Sequence, residues 1–296
     1  MRYKMKFTLP ASRPFNFHSV IHSHGWYQLA PFHYDEESNT LHHVLKLANG
    51  RVIELKMKEA ADGVIVETEW LDRSERKEAA DKVNWMFGLD MDFSRFYAAC
   101  RGEPRLARAE EGAQGRVLRS PTVFEDVIKT ILTTNTLWGA TRNMTRKLVN
   151  EFGAALDGQT EKRAFPSPAS IAASRPEVLK ENVRVGYRAP AIHQLAVRAA
   201  GGELDLESLK TSRLPTLELR RELLKINGVG PYAAANLLML LGRHDFIPID
   251  SYALKMVSHE WYRGKPITTR EVEKRFEKWG EFKGLAFWFW DWKYNG

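Results

Sequence analysis

Apolar and polar residues alternate through the first quarter of the chain. Leu41 to Leu47 and Val52 to Met57 flank Asn49-Gly50, and Ile53, Leu55 and Met57 alternate with charged residues; a further run, Gly63 to Trp70, follows Asp62-Gly63. A period of two buries one face of a strand, and Asn-Gly suits the two positive φ angles of a type I′ turn, so the pattern predicts a β-hairpin with a third strand added. Beyond Arg73 the period lengthens to that of helices. Phe124, Val127, Ile128, Ile131 and Leu132 form one apolar stripe, and Met144, Leu148 and Phe152 form another. The expectation is an α+β chain, with an N-terminal antiparallel β domain over residues 1–84 and a mainly helical region over residues 85–296. Phe165-Pro-Ser-Pro168 is expected to connect helices, and Ala107 to Gly115 to form a surface loop. No internal repeat or low-complexity tract interrupts the pattern.

The helical region contains one local arrangement with chemical content. Leu219, Leu223 and Ile226 recur at helical spacing before Gly228-Val229-Gly230, and Ala233, Asn236, Leu237, Leu240 and Leu241 do so after it. Two amphipathic helices therefore meet at a tight turn, with Val229 placed to anchor it and Pro231 suited to the first position of the second helix. The N–H groups left at that helix start can hold a phosphate without reading a base. An ordinary helix turn with a glycine cap is the plain alternative for the hairpin taken alone.

The wider pattern narrows the choice. Gly228-Val-Gly-Pro-Tyr-Ala-Ala through Phe246-Ile-Pro-Ile-Asp250 resembles the helix-hairpin-helix, Gly/Pro-rich loop and aspartate signature of the HhH-GPD superfamily of DNA glycosylases, within it most similar to the 3-methyladenine and 8-oxoguanine enzymes. Phe124-Glu-Asp-Val-Ile-Lys-Thr-Ile-Leu-Thr-Thr-Asn135-Thr resembles the helix and loop such enzymes press into the duplex, and Val185-Gly-Tyr-Arg-Ala189 matches a further shared segment. The resemblance runs from about Asn84 to the C-terminus and implies the HhH-GPD glycosylase fold for the helical region.

Base excision then assigns expected roles. The nucleotide must leave the stack, and something must fill the gap. Asn135 would touch the orphaned partner base, with Thr134 beside it, and Leu137 or Trp138 would wedge into the stack. Thr134 or Asn135 would equally serve to cap the helix starting near Trp138. Gly228, Gly230 and Tyr232 would lie against the DNA backbone, and the resemblance implies a monovalent cation held by backbone carbonyls near Ile226 and Val229. Breaking the C1′–N bond leaves positive charge on the sugar, which a nearby carboxylate stabilises while orienting water. Asp250 is the candidate, and it also suits the N-cap of the following helix. Relatives that cleave the strand carry a lysine one residue after the position of Pro231; here that residue is Tyr232, which predicts hydrolysis without lyase activity. Alkylated purines carry positive charge and stack on aromatic faces. Tyr232, Phe282 and Trp288 are the candidate pocket residues, although most C-terminal rings are expected to pack in the core.

Composition sets limits on these readings. Among 296 residues the formal net charge is +7 and the pI about 9.4, which suits a polyanionic partner. Between Arg119 and Asn150 five basic residues, Arg119, Lys129, Arg142, Arg146 and Lys147, face Glu125 and Asp126, an excess expected to form a backbone-facing surface. The single cysteine, Cys100, excludes a disulfide framework and a four-cysteine iron–sulfur cluster. His22, His24, His42 and His43 lack metal-ligand spacing and are expected to be solvated. No cofactor and no catalytic metal are expected. With no long apolar run and no signal-peptide pattern at Met1-Arg-Tyr-Lys, the expectation is a cytoplasmic monomer, nucleoid-associated if bacterial, acting on double-stranded DNA with a damaged base and not on membranes. Two other readings stay open: a glycosylase for oxidised or deaminated purines such as 8-oxoguanine or hypoxanthine, and a DNA-binding module without catalysis.

Overall fold

The computed structural model describes residues 4–293. The start of the Met1-Arg-Tyr-Lys stretch, through Tyr3, and residues 294–296 lie outside the described residues. Two compact units are formed, Met1–Met91 with Arg116–Thr211, and Asp92–Gly115 with Ser212–Gly296. The expected boundary between residues 84 and 85 falls inside the helix Arg73–Phe87. The sheet shares its unit with helices from both sides of that point. Among the described residues no helix is long and apolar enough to cross a membrane.

In the first unit β1 (Lys4–Pro10), β2 (Phe32–Asp35), β3 (Thr40–Lys46), β4 (Val52–Ala60) and β5 (Gly63–Glu69) form one antiparallel sheet in the order β1-β5-β4-β3-β2. Leu41, His43 and Leu45 stand opposite Met57, Leu55 and Ile53, and all six are buried. Val44 points to the other face of β3 and packs with Leu156 and Ala164, so this strand is covered on both sides and reads as nearly continuous apolar sequence. The cover on that side is a two-stranded ribbon, β6 (Ala155–Leu156) with β7 (Gln159–Arg163), which the helical pattern did not anticipate. Asp157-Gly158 between its strands was the available turn signal.

The β3–β4 turn departs from expectation. Gly50 has φ 90° but Asn49 is not in the positive-φ region, and Gly50 N–H donates to Leu47 O at 2.9 Å while Leu47 N–H donates to Arg51 O at 2.8 Å. The connection is a three-residue loop with glycine at the bulge, not a type I′ turn. Tertiary contacts select it: the Ala48 N–H donates to Glu78 and the Asn49 amide to Glu75, both on the helix Arg73–Phe87.

The helix Val123–Thr133 is the centre of this unit. Ten of its eleven residues are buried. They include Glu125, Asp126 and Lys129, so the expected basic surface is corrected: Lys129 and Arg119 lie in the interior, and Arg142 and Arg146 are the exposed members of the set. Charged groups persist there because they are paired. Lys129 Nζ lies 2.6 Å from Glu125 and 4.5 Å from the Phe32 ring, while Asp126 Oδ1 accepts from Trp26 Nε1 at 2.8 Å and from the Ser120 N–H at 2.9 Å. Burial outweighs these bonds and pushes the Asp126 carboxyl up to about 6.

Of the four histidines expected to be solvated, His22 is exposed, His24 and His42 are half-buried, and only His43 is fully internal, against expectation. His43 is 1% exposed with Glu125 at 3.6 Å. His24 bonds to the Leu118 carbonyl at 2.6 Å, and burial lowers its pKa to about 4. His42 binds Glu54 at 3.0 Å.

The second unit is organised around aromatic residues. Phe276 is fully buried, with its ring centroid 5.3 to 5.7 Å from those of Trp261, Trp279, Phe287 and Trp290. Such pairs add about 0.5–1.5 kcal/mol each beyond area burial. Ala107 to Gly115 belongs to this unit and is not a plain surface loop: Ala109 and Ala113 are buried. Cys100 is also buried, and desolvation pushes its thiol up to about 12.

Candidate functional site

The hairpin forms as its sequence implies. Helix Thr216–Leu224 buries Leu219 and Leu223, helix Pro231–Leu240 starts with Pro231 at its first turn, and Ile226 and Val229 are buried between them. The turn is closed by backbone alone: Ile226 N–H donates to Leu223 O at 3.1 Å and Val229 N–H to Ile226 O at 3.0 Å. Gly228 takes φ 87°, and Gly230 is extended at φ −90° with nothing within 4 Å of where a Cβ would be. Asn227, Gly228 and Gly230 are exposed. The result is a backbone surface that another molecule can approach closely, at the positive end of a helix.

Tyr232 sits on the first turn of the second hairpin helix, half-buried, with its carbonyl accepting from the Asn236 amide at 3.1 Å. Lys225 is exposed and paired with Glu222 at 2.7 Å, and Lys255 is exposed on the helix that follows Asp250. Neither lysine occupies the hairpin position held by Tyr232.

Asp250 is held by both sides of its own chain. It caps the helix Ser251–Tyr262, with Oδ1 accepting from the Ala253 N–H at 2.7 Å, and the residue remains exposed. The capping role and the candidate catalytic role therefore fall on one side chain, whose second oxygen is left for chemistry. Upstream, Ile247 and Pro248 are buried, and Arg220 and Lys283 lie 5.2 and 5.6 Å from the Phe246 ring centroid. The helix Lys283–Trp288 closes on this segment through Gly284, whose N–H donates to His244 O at 2.7 Å. A Cβ there would come within 2.7 Å of the same carbonyl, so only glycine allows the approach.

The other C-terminal pocket candidates separate. Phe282 is half-buried, 5.9 Å from the Phe96 ring and with Arg95 5.8 Å from its centroid. Trp288 is half-buried at the last position of its helix. Trp279, Phe287 and Trp290 are core residues, as expected for most of these rings.

The loop candidates belong to the first unit and are placed by side chains. Thr134 does not cap the helix Trp138–Phe152; its hydroxyl donates back to Ile131 O at 2.7 Å and closes the preceding helix. Asn135 has φ 46° and is exposed, its amide 3.3 Å from the Tyr187 hydroxyl. Leu137 is the N-cap residue with no side-chain hydrogen bond and is 83% exposed. Trp138 is 37% exposed, and its Nε1 donates to Gln28 at 2.7 Å.

Sequence reasoning missed two members of this cluster. Tyr187 is 66% exposed beside Asn135, and hydrogen bonding with Thr134 holds its phenol below the ordinary range. Arg188 is buried and donates to the carbonyls of Ile131, Val185 and Thr134, so it ties the end of one helix to the Val185–Ala189 segment. The signal was present, because that segment was recognised as shared, but spacing alone gave its side chains no partners.

Comparison with known proteins agrees with this geometry. The chain is similar to a DNA-3-methyladenine glycosylase of Bacillus subtilis (strain 168), 26% identical over 228 residues and covering 74% of each chain. In three dimensions it is similar to the 3-methyladenine DNA glycosylase of Archaeoglobus fulgidus, with a TM-score of 0.73, 20% identity and 97% of each chain covered. It is also similar to MBOgg1 in complex with a low-affinity DNA ligand, with a TM-score of 0.74, 24% identity, and 97% and 93% of the two chains covered. A third likeness is to the 8-oxoguanine glycosylase/lyase of Clostridium acetobutylicum, with a TM-score of 0.66, 20% identity, and 90% and 92% covered. The model of the HhH-GPD superfamily of base excision DNA repair proteins matches residues 128–282, just over half of the chain, and spans the hairpin, Asp250 and the Asn135 loop. The chain belongs to the HhH-GPD superfamily.

Proposed function

We propose that this protein is a monofunctional DNA glycosylase that removes alkylated purines from double-stranded DNA. The observation that carries the reading is Asp250: an exposed carboxylate fixed by the Ala253 N–H at 2.7 Å, on a segment locked by Gly284, in the same unit as the helix-hairpin-helix turn. A non-catalytic DNA binder could cap this helix with an uncharged serine or asparagine and avoid a carboxylate beside a polyanion. Asp250 stabilises the developing positive charge on the sugar and orients water for attack at C1′, the base leaves with the bonding electrons, and the water proton is taken up by solvent or the departing base. Tyr232 in place of the lysine nucleophile supports hydrolysis, and the pairing of Lys225 with Glu222 agrees with it. Similarity to the Bacillus subtilis 3-methyladenine enzyme supports an alkylated base, whose positive charge Tyr232, Phe282 and Trp288 would meet with aromatic faces.

In the first unit, Leu137 and Asn135 fill the gap that the extruded base leaves, and Tyr187 joins them. The loop's neutral contacts serve this filling, while affinity for the backbone comes from the hairpin.

The test is base release from duplexes carrying 3-methyladenine analogues, 7-methylguanine, ethenoadenine, hypoxanthine, 8-oxoguanine and uracil, for the wild type and Asp250→Asn. Release of alkylated purines is expected, leaving intact abasic sites and no borohydride-trapped adduct, with the variant slower by about a hundredfold or more. Preferred release of 8-oxoguanine with strand nicking would replace this reading with that of a bifunctional enzyme for oxidised purines.

A further inference from the structure

We infer that Gln28 and Gly25 are positioning residues for the flipping loop: they clamp the Trp138 indole so that Leu137 is delivered to the stack as a rigid wedge. The inference rests on the loop's proposed role in extrusion and adds residues from the far N-terminal part of the chain to it.

Trp138 and Leu137 are neighbours with opposite fates. The Trp138 Nε1–H donates to Gln28 Oε1 at 2.7 Å, and the Gln28 amide donates onward to the Tyr27 hydroxyl at 2.8 Å. Tyr27 is backed in turn by His22 and Tyr34, with ring centroids at 4.8 and 6.0 Å. The indole also lies directly on the backbone of Gly25, so closely that a Cβ there would fall within the ring atoms Cζ2 and Cη2. Gly25 and Gln28 belong to one 3-10 turn, so a single short element supplies both the bare backbone and the hydrogen bond. Leu137 has none of these restraints on its side chain and is 83% exposed.

This arrangement suits a wedge mechanically. Opening a base stack costs a few kcal/mol, and a loop free to recoil would move away instead of displacing the base. Anchoring the residue next to the wedge puts the ordering cost into folding, before DNA is met. Tryptophan is needed because its N–H reaches Gln28 and its flat ring covers Gly25. Leucine at 137 has no hydrogen-bonding group to tie it back, and it can enter an apolar stack.

The test compares one lesion in two settings, paired in a duplex and already unpaired in a single-base bulge, with 2-aminopurine beside the target reporting unstacking. Gln28→Ala is expected to slow single-turnover release from the duplex by about fivefold, the worth of one hydrogen bond, and to lower the 2-aminopurine signal in step. Release from the bulge is expected to change less than about twofold, since no stack has to be opened there. Trp138→Phe, which removes the indole donor and leaves Gln28 in place, is expected to show the same selective loss, and Gly25→Val to reproduce it. Equal loss on both substrates, or a wild-type duplex rate in Gln28→Ala, would overturn the clamp. A wild-type protein that releases no base from any lesion would overturn the glycosylase reading instead, and the 2-aminopurine signal would still decide the clamp.

Discussion

The hairpin at Gly228–Gly230 and the loop at Thr133–Trp138 are the two elements proposed to meet DNA, yet they are built in opposite ways. In the hairpin, backbone groups make the turn and neighbouring residues supply the packing: Val229 bonds to Ile226, Ile226 to Leu223, and the exposed surface is peptide. In the loop, side chains from distant parts of the chain fix each position. Gln28 holds Trp138 across 110 residues, and Arg188 holds the carbonyls of Ile131 and Thr134 across more than 50. A surface that grips any phosphate needs only repetitive backbone geometry, whereas a surface that must replace one base has to hold particular side chains at particular depths. The first can be encoded locally, and the second cannot.

The comparison fails most sharply if the interior beneath the loop proves unimportant. Glu125 neutralises Lys129 inside the helix that ends in the loop, and both are buried. Glu125→Gln leaves that ammonium without its counter-charge and is expected to cost about 3–5 kcal/mol in a denaturant titration. A loss below about 1 kcal/mol would show that the buried pair is not what supports this helix.

Arg188 is the next test. Arg188→Met keeps much of the volume and removes the guanidinium donors to the Ile131 and Thr134 carbonyls, and a loss of about 2 kcal/mol in duplex excision is expected. The same variant should bind undamaged duplex nearly as well as wild type, because the hairpin is untouched. A parallel loss of non-specific binding would erase the distinction between the two surfaces.

At the hairpin the contrast runs the other way. Gly230 has open space around its missing Cβ and an ordinary φ, so Gly230→Val is expected to fold with unchanged thermal stability while weakening damaged and undamaged duplexes alike by about 1.5 kcal/mol. Gly228→Ala instead forces a side chain at φ 87° and should lower stability as well. Selective loss for one lesion in Gly230→Val would mean that the hairpin reads bases.

The smallest expected effect concerns Asp126. Its folded pKa of about 6 exceeds the ordinary aspartate value, so its contribution to stability is present below about pH 4 and is lost as the pH rises through 6. Asn at 126 can still accept from Trp26 and Ser120 through one oxygen. The Asp126→Asn variant should therefore lie within about 1 kcal/mol of wild type at pH 7 and gain on it between pH 4 and 6, as followed by denaturant titrations across that window. Glu54 pulls in the other direction: burial raises its pKa, but the bonds from His42 and Lys162 prevail and bring it to about 2, so its contribution is lost as the pH falls. The difference between variant and wild type isolates Asp126 from that background.

Much of this was legible before any coordinates. The antiparallel strands, the two hairpin helices, Pro231 at a helix start and Asp250 ahead of a helix all follow from period, glycine and proline placement, and capping chemistry, which act over a few residues. Tertiary structure decided which charges face water. Lys129, Arg119 and His43 read as surface groups by composition, and each is buried because a partner distant in sequence, or an aromatic face, offsets its desolvation. It also decided the β3–β4 turn, where Glu75 and Glu78 overrode the preference of Asn49-Gly50. The loop shows the same limit most clearly: Thr134, Asn135, Leu137 and Trp138 were identified from sequence. Their division into a helix stop, a hydrogen-bonded polar tip, an exposed leucine and a clamped ring depends on Gln28, Gly25, Tyr187 and Arg188, whose proximity no local pattern encodes.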